Sequence, residues 1–347
     1  MYDILKLQQK IVPELLEVLH KRYSILRTIY YNAPIGRRIL ANTLGIGERV
    51  VRTEINFLKK QDLIQITSEG MKITDEGEEI LDKLKTFIHD MTGLHEIEEY
   101  LRKNLNIQEV FIVPGNVDEN RIVLNEIGRT ASKYIKDILK DNNIISLTGG
   151  SSVKSIIDNI PNRKDLNNIM VVPARGGMGR EVEVQSNTLA ASLAKKLNAN
   201  YKMLHVPDNL SDSALKTILK EESIKEVLEY IDKANILIYG IGRAERMAEK
   251  RELNSELIEK LNSMGAVGEA FGCYFNIKGD IVFSTPTVGI KNQQMVKVEK
   301  SIAIAGGKRK AKAIIATEMY SENSVLFTDE GAAREMLRIL SEKKENN

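Results

Sequence analysis

Cysteine is nearly absent from the 347-residue sequence, which contains a single one, Cys273. One cysteine cannot form an intramolecular disulfide or a cysteine-rich metal site, so disulfide scaffolds and zinc fingers are excluded. Long apolar runs are also missing, because stretches such as 236–239 are far shorter than the roughly 20 residues of a membrane-spanning helix. Charged residues interrupt the first thirty positions, where a secretory signal would be apolar. We therefore expect a cytoplasmic protein without a membrane partner.

The sequence also has little net charge. Its 50 lysines and arginines nearly balance 48 aspartates and glutamates, which gives a formal net charge of +2. The balance is uneven along the chain, because residues 21–60 contain nine basic residues and two acidic ones. One segment is therefore expected to contact a polyanion, and 347 residues are enough for about two domains.

The basic segment has the pattern of a winged helix-turn-helix. A short amphipathic helix over 35–44, a glycine-containing turn and a second amphipathic helix over 48–61 follow one another. Two short alternating apolar stretches within 63–73 then predict a hairpin, the wing. We predict a DNA-binding domain over residues 1–75, with double-stranded operator DNA as its partner. A winged helix that contacts protein is the alternative, and it would lack salt-sensitive affinity for DNA.

The second helix of such a pair enters the major groove and presents its polar face to the base edges. Arginine pairs there with guanine and asparagine with adenine, whereas basic residues outside this face suit phosphates. We assign Arg37 and Arg38, with Lys59 and Lys60, to phosphate contacts. The predicted DNA-binding residues are Arg37, Arg38, Arg49, Arg52, Thr53 and Asn56.

Residues 76–106 are predicted to form a helical segment between two domains. Apolar residues recur there every three or four positions, from Ile80 to Leu101, and form a narrow stripe. Such a stripe fits a paired helix that joins protomers into a homodimer or homotetramer. A helix packed onto its own domain is the alternative, and Gly93 is a candidate for a break in the helix.

From Val110 onwards the pattern changes to alternating strands and helices. Six short, almost continuous apolar runs are typical of parallel strands buried on both faces, and amphipathic helices separate them. We therefore predict a doubly wound α/β domain over residues 107–340, interrupted by a hairpin over 274–283 that forms a small subdomain or flap. The predicted strands are 110–113, 144–147, 169–172, 236–239, 301–304 and 324–327.

Ligands of an open α/β sheet bind at the carboxyl ends of its strands, where helix N-termini present free N–H groups. Four of the predicted strands end in glycine-containing loops. Ser151 and Ser152 add hydroxyl donors to these loops, and Arg175 and Lys310 add positive charge. The pattern predicts phosphate-binding cradles, although tight turns alone would explain any one loop taken singly. The loops are 148–152, 174–179, 240–242 and 305–310.

The residues expected of a nucleotide-dependent enzyme or a hydrolase are missing from these loops. Glu245 stands where the third glycine of a dinucleotide-binding motif would be, and no Walker lysine pattern occurs. The four histidines lie outside the loops, and no nucleophile–histidine or zinc-protease motif is found. We therefore predict a binding protein without enzymatic activity, metal or cofactor.

Four stretches of the α/β half resemble a known family. They are 172–177 (Val-Pro-Ala-Arg-Gly-Gly), 185–189, 265–271 and 326–333, which contains Thr-Asp-Glu-Gly-Ala-Ala. With them the chain resembles, over nearly its whole length, the SorC family of transcriptional regulators, and within it the members that control glycolytic genes. The resemblance implies a winged helix-turn-helix joined to an effector domain that is similar to sugar-phosphate isomerases and deaminases but lacks their activity. It also implies a repressor controlled by fructose 1,6-bisphosphate or a related sugar phosphate.

The resemblance further implies which residues bind the effector. One phosphate is expected at the loop 150–152 with Arg175 and Lys310, and the second phosphate at Lys250 and Arg251. The implied effector-binding set, with Gln185 and Glu269 near the sugar, is Gly149, Gly150, Ser151, Ser152, Arg175, Gln185, Lys250, Arg251, Glu269 and Lys310.

The sequence departs from the family pattern at a few positions. Serines replace the common threonines at 151–152, which keeps the hydroxyl groups. Lys250 replaces a common arginine, which keeps the positive charge but loses the planar contact that a guanidinium makes with phosphate. The basic pair 308–309 replaces small polar residues, and Arg243 and Arg246 add charge to the second anion site. The departures therefore keep or increase the positive charge.

An enzyme is the main alternative to a regulator. A sugar-phosphate isomerase or deaminase with an added DNA-binding arm would have a similar α/β domain. It would need a histidine and an acid pair that the glycine loops lack. Turnover of glucosamine 6-phosphate or ribose 5-phosphate would support it.

Overall fold

The computed structural model describes residues 11–177, 181–207, 211–290, 298–318 and 322–345. The described residues form two compact units, with the boundary between Glu96 and Ile97. This boundary falls within the predicted segment 76–106, whose limits stay a prediction. Met178 and Gly179, at the end of the second glycine loop, lie outside the described residues.

The first unit is a winged helix-turn-helix. Its first elements are α1 (Pro13–Asn32), α2 (Arg37–Leu44), α3 (Glu48–Lys60), β1 (Ile64–Ile66) and β2 (Met71–Ile73). Helix α2 ends at Gly45, which has a φ of 64° and turns the chain into α3. The two strands pair antiparallel as the wing, and Ile25, Leu40 and Ile55 bring the three helices into one apolar core. The predicted helix-turn-helix and wing are confirmed.

The predicted helical segment 76–106 consists of two helices, α4 (Asp75–Met91) and α5 (Leu94–Leu105). Gly93, with a φ of 68°, lies at the break between these two helices. Leu81 and Ile88 of α4 belong to the apolar core of the first unit. Part of the apolar stripe is therefore used within the unit itself, and its role in oligomerisation stays a prediction.

The second unit is built on a parallel sheet. Its strands are β3 (Glu109–Val113), β4 (Ile144–Leu147), β5 (Met170–Pro173), β6 (Asn200–Tyr201), β7 (Ile236–Gly240), β12 (Lys300–Ile304) and β13 (Ser324–Asp329). Within the described residues the order is β3-β13-β12-β7-β4-β5-β6, and every neighbouring pair is parallel. All six predicted strands are present with ends that differ by at most two residues. Strand β6 was not predicted, because two residues are too few to show a periodicity.

Helices cover the sheet. They are α6 (Ile122–Ile138), α7 (Ser151–Asn159), α8 (Ser186–Leu197), α9 (Asp212–Ile218), α10 (Glu222–Asp232), α11 (Ala244–Lys250), α12 (Ser255–Ser263), α13 (Ala311–Glu318) and α14 (Glu330–Glu345). The apolar faces of α6, α7 and α8 pack with alternate strand residues into the largest described core. Gly128 allows α6 to approach α7, since a Cβ there would lie 2.3 Å from the carbonyl oxygen of Ser155. In the part of the chain that the structure describes, no helix combines the length and apolar character needed to cross a membrane.

The predicted hairpin over 274–283 belongs to a larger antiparallel sheet. Its strands are β8 (Gly242–Arg243), β9 (Ala266–Ala270), β10 (Cys273–Asn276) and β11 (Ile281–Ser284). The described strands follow the order β11-β10-β9-β8, so the predicted hairpin forms only one side of this sheet. Strand β9 was not predicted, because its sequence lacks the alternation of a half-buried strand. The register of β9 with β8 places Glu269 opposite Gly242, two residues after the end of β7.

Glu318, the last residue of α13, has a buried carboxyl group that contacts residues of β7 and β13. The hydroxyl of Tyr239 donates to its Oε1 at 2.6 Å, and the hydroxyl of Ser324 donates to its Oε2. Glu318 is completely buried, and burial raises the pKa of its carboxyl from the usual 4.5 to about 7, against the effect of these hydrogen bonds. The folded chain therefore holds a proton on Glu318 at pH values where the unfolded chain has lost it.

We expect the stability of the second unit to fall as the pH rises from about 4.5 to about 7. The raised pKa corresponds to a loss of about 3 kcal/mol in the free energy of unfolding over this window, with no further loss above it. Urea unfolding of wild type and Glu318→Gln at pH 5 and pH 8 measures the effect, and the variant should show a much smaller difference between the two values. The exposed Glu256→Gln substitution on α12 is the control, and equal pH dependence in all three proteins would contradict the prediction.

Candidate anion-binding cavity and nucleic-acid interface

The carboxyl ends of the neighbouring strands β12, β7, β4 and β5 open onto one cavity of about 850 Å³. The glycine loops that follow these strands line it. All ten residues that the family resemblance implies for effector binding, from Gly149 to Lys310, are among the lining residues. The structure thus brings together residues from six separate segments of the chain, and their role in binding stays a prediction.

The N-terminus of α7 forms one wall of the cavity. The N-cap residue of this helix is Gly150, which has a φ of 121°, and the helix has no side-chain capping hydrogen bond at this position. A Cβ on Gly150 would meet no described heavy atom within 4 Å, so the space beside it is open. Ser152 is buried and Ser151 is exposed in this turn. The uncapped N–H groups and the serine hydroxyls together suit an anion.

The buried carboxylate of Glu269 lies between two guanidinium groups. Arg251 donates from Nη2 to Glu269 Oε1 at 2.6 Å, and Arg175 Nη1 lies 4.0 Å from the same oxygen. Arg251 also donates from Nη1 to Thr285 Oγ1 at 3.1 Å. The side chains of Arg251 and Glu269 are only 14% and 4% exposed. This cluster fixes the orientation of Arg251, and it leaves Arg175 at the cavity wall.

Lys310 links two of the glycine loops. Its Nζ donates to the carbonyl oxygen of Ile241 at 2.8 Å, which ties the loop after β12 to the loop after β7. Burial lowers the pKa of Lys310, while the charges of Asp329 and Asp118 act in the opposite direction. A phosphate bound in the cavity would favour the protonated ammonium further.

The carboxylate of Asp329 holds the loop of Lys310 in place. Its Oδ2 accepts hydrogen bonds from the backbone N–H of Gly307 at 2.8 Å and of Val117 at 2.6 Å. Burial raises the pKa of Asp329, and these backbone hydrogen bonds oppose that shift. Sequence reasoning gave Asp329 no role, although it belongs to the Thr-Asp-Glu-Gly-Ala-Ala stretch that carries the family resemblance.

Lys250 and Arg251 were assigned to the same phosphate, but their side chains have different surroundings. Lys250 is 54% exposed, and its Nζ lies 3.8 Å from Glu181 Oε2. Arg251 is buried against Glu269, as described above. Arg243 and Arg246, which were expected to strengthen the second anion site, both line the cavity.

The cavity is strongly basic. Among the described residues that line it, eight are lysines or arginines and three are aspartates or glutamates. Sequence reasoning missed Asp118 and Arg121, which come from the loop after β3. Pro114-Gly115 follows this strand, so the rule that located the other loops would also have found this one.

Groups typical of metal or histidine chemistry are not found in the described part of the cavity. None of the four histidines is among its described lining residues. The described residues of the chain also contain no group of three or more histidine, cysteine, aspartate or glutamate side chains that could hold a metal ion. The lining therefore suits binding of an anion by charge and by N–H and O–H donors.

The candidate nucleic-acid interface is the exposed face of α3 with the start of α2. All six predicted DNA-binding residues, from Arg37 to Asn56, are exposed. Within α3 the opposite face, which includes Val51, Ile55 and Leu58, is buried in the core of the unit. The structure therefore leaves the predicted base-reading side chains free to enter a groove, as required of a recognition helix.

Lys21 and Arg22 of α1 hold α3 in position. Arg22 Nε donates to Glu54 Oε2 at 2.8 Å, and Lys21 Nζ lies 3.4 Å from Glu54 Oε1. The guanidinium of Arg22 also lies 3.6 Å from the ring centroid of Phe57. Burial by itself would raise the pKa of Glu54, but the hydrogen bonds and charges of Arg22 and Lys21 outweigh it and keep this pKa below its usual value. These two basic residues therefore stabilise the unit, although the charge count assigned them to a polyanion surface.

The chain matches two family models in sequence. Residues 89–338 match the family described as "Putative sugar-binding domain", and residues 18–88 match "CggR N-terminal DNA binding domain". The boundary between the two matches lies within the predicted segment 76–106.

Curated relatives cover almost the whole chain. The central glycolytic genes regulator of Priestia megaterium is 42% identical over 97% of this chain and 99% of its own length. The protein of the same name from Bacillus subtilis is 40% identical over 97% of this chain and 99% of its own length. A solved structure, "the putative SorC family transcriptional regulator from Enterococcus faecalis", superposes with a TM-score of 0.66 at 35% identity and covers 70% of this chain and 100% of its own. The family resemblance and the fold class predicted from the sequence are confirmed.

Proposed function

Because the chain belongs to the SorC family of sugar-binding transcriptional regulators, together with the central glycolytic genes regulators, we propose that it regulates glycolytic genes. In this proposal the first unit binds operator DNA, and the cavity of the second unit binds a phosphorylated sugar such as fructose 1,6-bisphosphate. The protein acts in the cytoplasm as a homodimer or homotetramer and has no catalytic role.

The single observation that best supports this proposal is the basic cavity at the carboxyl edge of the parallel sheet. It combines the uncapped N-terminus of α7 with Arg175 and Lys310 from two other strand ends. Backbone N–H groups and arginine side chains are the groups that bind phosphates in proteins, and they need no metal to do so. On the same lining, the amide of Gln185 can both donate hydrogen bonds to sugar hydroxyls and accept them, and the carboxylate of Glu269 can accept hydrogen bonds from sugar hydroxyls.

The protein represses transcription by binding the operator, and the effector lowers its affinity for the operator. A ligand can shift the protein away from the DNA-binding state only if it binds the other state more tightly. Reciprocity then requires operator DNA to weaken effector binding by the same factor.

Fluorescence anisotropy of labelled DNA from upstream of the protein's own operon tests the proposal. The DNA is titrated with the full chain at two salt concentrations, with and without fructose 1,6-bisphosphate, and a scrambled DNA of equal length is the control. We expect tight binding to the operator that weakens with added salt and with the bisphosphate. If no sugar phosphate changes the affinity for the operator, the effector assignment is refuted. If the protein binds the operator no more tightly than the scrambled DNA, the regulatory function is refuted.

A further inference from the structure

Two backbone N–H groups of the glycine loop 305–310 are bonded to carboxylates from neighbouring segments of the chain. The N–H of Gly307 donates to Asp329 Oδ2 at 2.8 Å. The N–H of Arg309 donates to Asp118 Oδ2, in the loop after β3, at 2.9 Å. Both carboxylates lie at the start of the helical turn that precedes α13, where free N–H groups would attract an anion. At this loop the chain supplies its own negative charges.

The two carboxylates differ in their access to a ligand. Asp329 is completely buried, whereas Asp118 is exposed and lines the cavity. Gly307 allows this close approach of Asp118, since a Cβ on Gly307 would lie 2.9 Å from Asp118 Oδ1. The carboxylate of Asp118 is therefore part of the cavity surface that an anion would reach.

Asp118 acts on the charge of Lys310, a lysine of the same cavity. Burial lowers the pKa of Lys310, and the charges of Asp329 and Asp118 act in the opposite direction. A phosphate that binds the ammonium of Lys310, as the family resemblance implies, would therefore lie near the carboxylate of Asp118. Like charges repel, and the repulsion is stronger beside a protein surface than in bulk water.

We propose that Asp118 is an internal competitor of the effector, which lowers the affinity of the cavity for anions. Its carboxylate stabilises Lys310 and the loop 305–310 in the absence of a ligand, and it repels a phosphate that binds the same ammonium. Asp118 thereby raises the effector concentration at which the protein releases the operator. This inference rests on the proposed function, because it assumes that the effector is an anion bound in the cavity.

Isothermal titration of the full-length wild type and of the Asp118→Asn variant with fructose 1,6-bisphosphate tests the inference. The asparagine keeps a side-chain oxygen that can accept from the N–H of Arg309, but it removes the negative charge. The variant should bind the bisphosphate about threefold to tenfold more tightly at about 0.1 M salt. At about 1 M salt, where the Debye length is only about 3 Å, the affinities should differ by less than about twofold. A purely structural role of Asp118 predicts unchanged or weaker binding at both salt concentrations.

Two variants serve as controls, and neither should gain affinity. Asp158→Asn removes an exposed aspartate of α7 that pairs with Lys154 and is not among the described lining residues, so the net charge changes equally. Asp118→Glu keeps the negative charge at the same position. Circular dichroism melting shows whether each variant is folded. Asp118→Ser, which removes the charge and keeps a hydroxyl acceptor, repeats the test in case the asparagine variant does not fold.

The possible results separate this inference from the proposed function. If the wild type binds the bisphosphate and Asp118→Asn binds it no more tightly, the inference is overturned and the proposed function stands. Equal gains in Asp118→Asn and in either control would also overturn the inference, since the charge of Asp118 would then not be the cause. If neither the wild type nor Asp118→Asn binds any sugar phosphate, the proposed effector site and this inference are refuted together.

Discussion

Replacing Ser152 and Arg175 by alanine should abolish the response of operator binding to fructose 1,6-bisphosphate. The two side chains lie at the N-terminus of α7 and at the carboxyl end of β5, on the same cavity. The variant loses a hydroxyl donor and the charge of a guanidinium, which together weaken phosphate binding about a hundredfold or more. At bisphosphate concentrations that release the wild type, the variant should therefore stay on the operator.

The measurement is the anisotropy titration described above, with the effector concentration varied at a fixed concentration of protein. Arg338→Ala is the control, because this exposed arginine of α14 pairs with the carboxylates of Glu335 and Glu342, which do not line the described part of the cavity. Circular dichroism melting of both variants shows whether the second unit is still folded. A Ser152→Ala/Arg175→Ala variant that is folded and responds normally to the bisphosphate would refute the site assignment.

Arg52→Ala should lower the affinity for the operator about tenfold to a hundredfold and relax the sequence preference at one base pair of each half-site. Arg52 lies on the exposed face of α3, next to Arg49 and Asn56 in the helical arrangement. A bidentate pair between arginine and guanine contributes about 1–3 kcal/mol of discrimination, and alanine cannot replace it. The variant should bind scrambled DNA nearly as well as the wild type does.

Arg38→Ala provides the comparison for a residue that contacts phosphate. Its operator and scrambled affinities should fall together, and the dependence of binding on salt should become weaker. Lys83→Ala, which removes an exposed charge of α4 paired with Glu79, is the control for net charge. Anisotropy with a set of single-base operator variants measures all three proteins. Unchanged affinity and sequence preference for Arg52→Ala would remove this residue from the recognition helix.

The architecture could be predicted because its signals are local. A strand buried on both faces needs a continuous apolar run, and a helix with one buried face needs apolar residues three or four positions apart. Both patterns are present in the sequence and were found there. The edge at which the cavity opens follows from the same reasoning, because parallel strands place all their carboxyl ends together. Elements without a pattern, such as β9 and the two-residue β6, were missed.

The partner of each charged side chain could not be predicted, because it depends on contacts between residues far apart in the sequence. Lys250 and Arg251 are adjacent, and only the packing of β9 beside the loop after β7 turns Arg251 to Glu269 and leaves Lys250 exposed. In the same way, Arg22 belongs to the basic segment by sequence but contacts Glu54 in the structure.

The sequence by itself determined the two kinds of domain, the family and ten of the residues that line the cavity. Only the tertiary structure decided which basic side chains remain available to an anion. The physical reason is that a buried carboxylate that stays ionised must be paired with a cation. Glu54 and Glu269 therefore bind nearby cations from other elements. This leaves Arg243 and Lys250 on the lining of the cavity, and Arg49 and Arg52 on the exposed surface of α3.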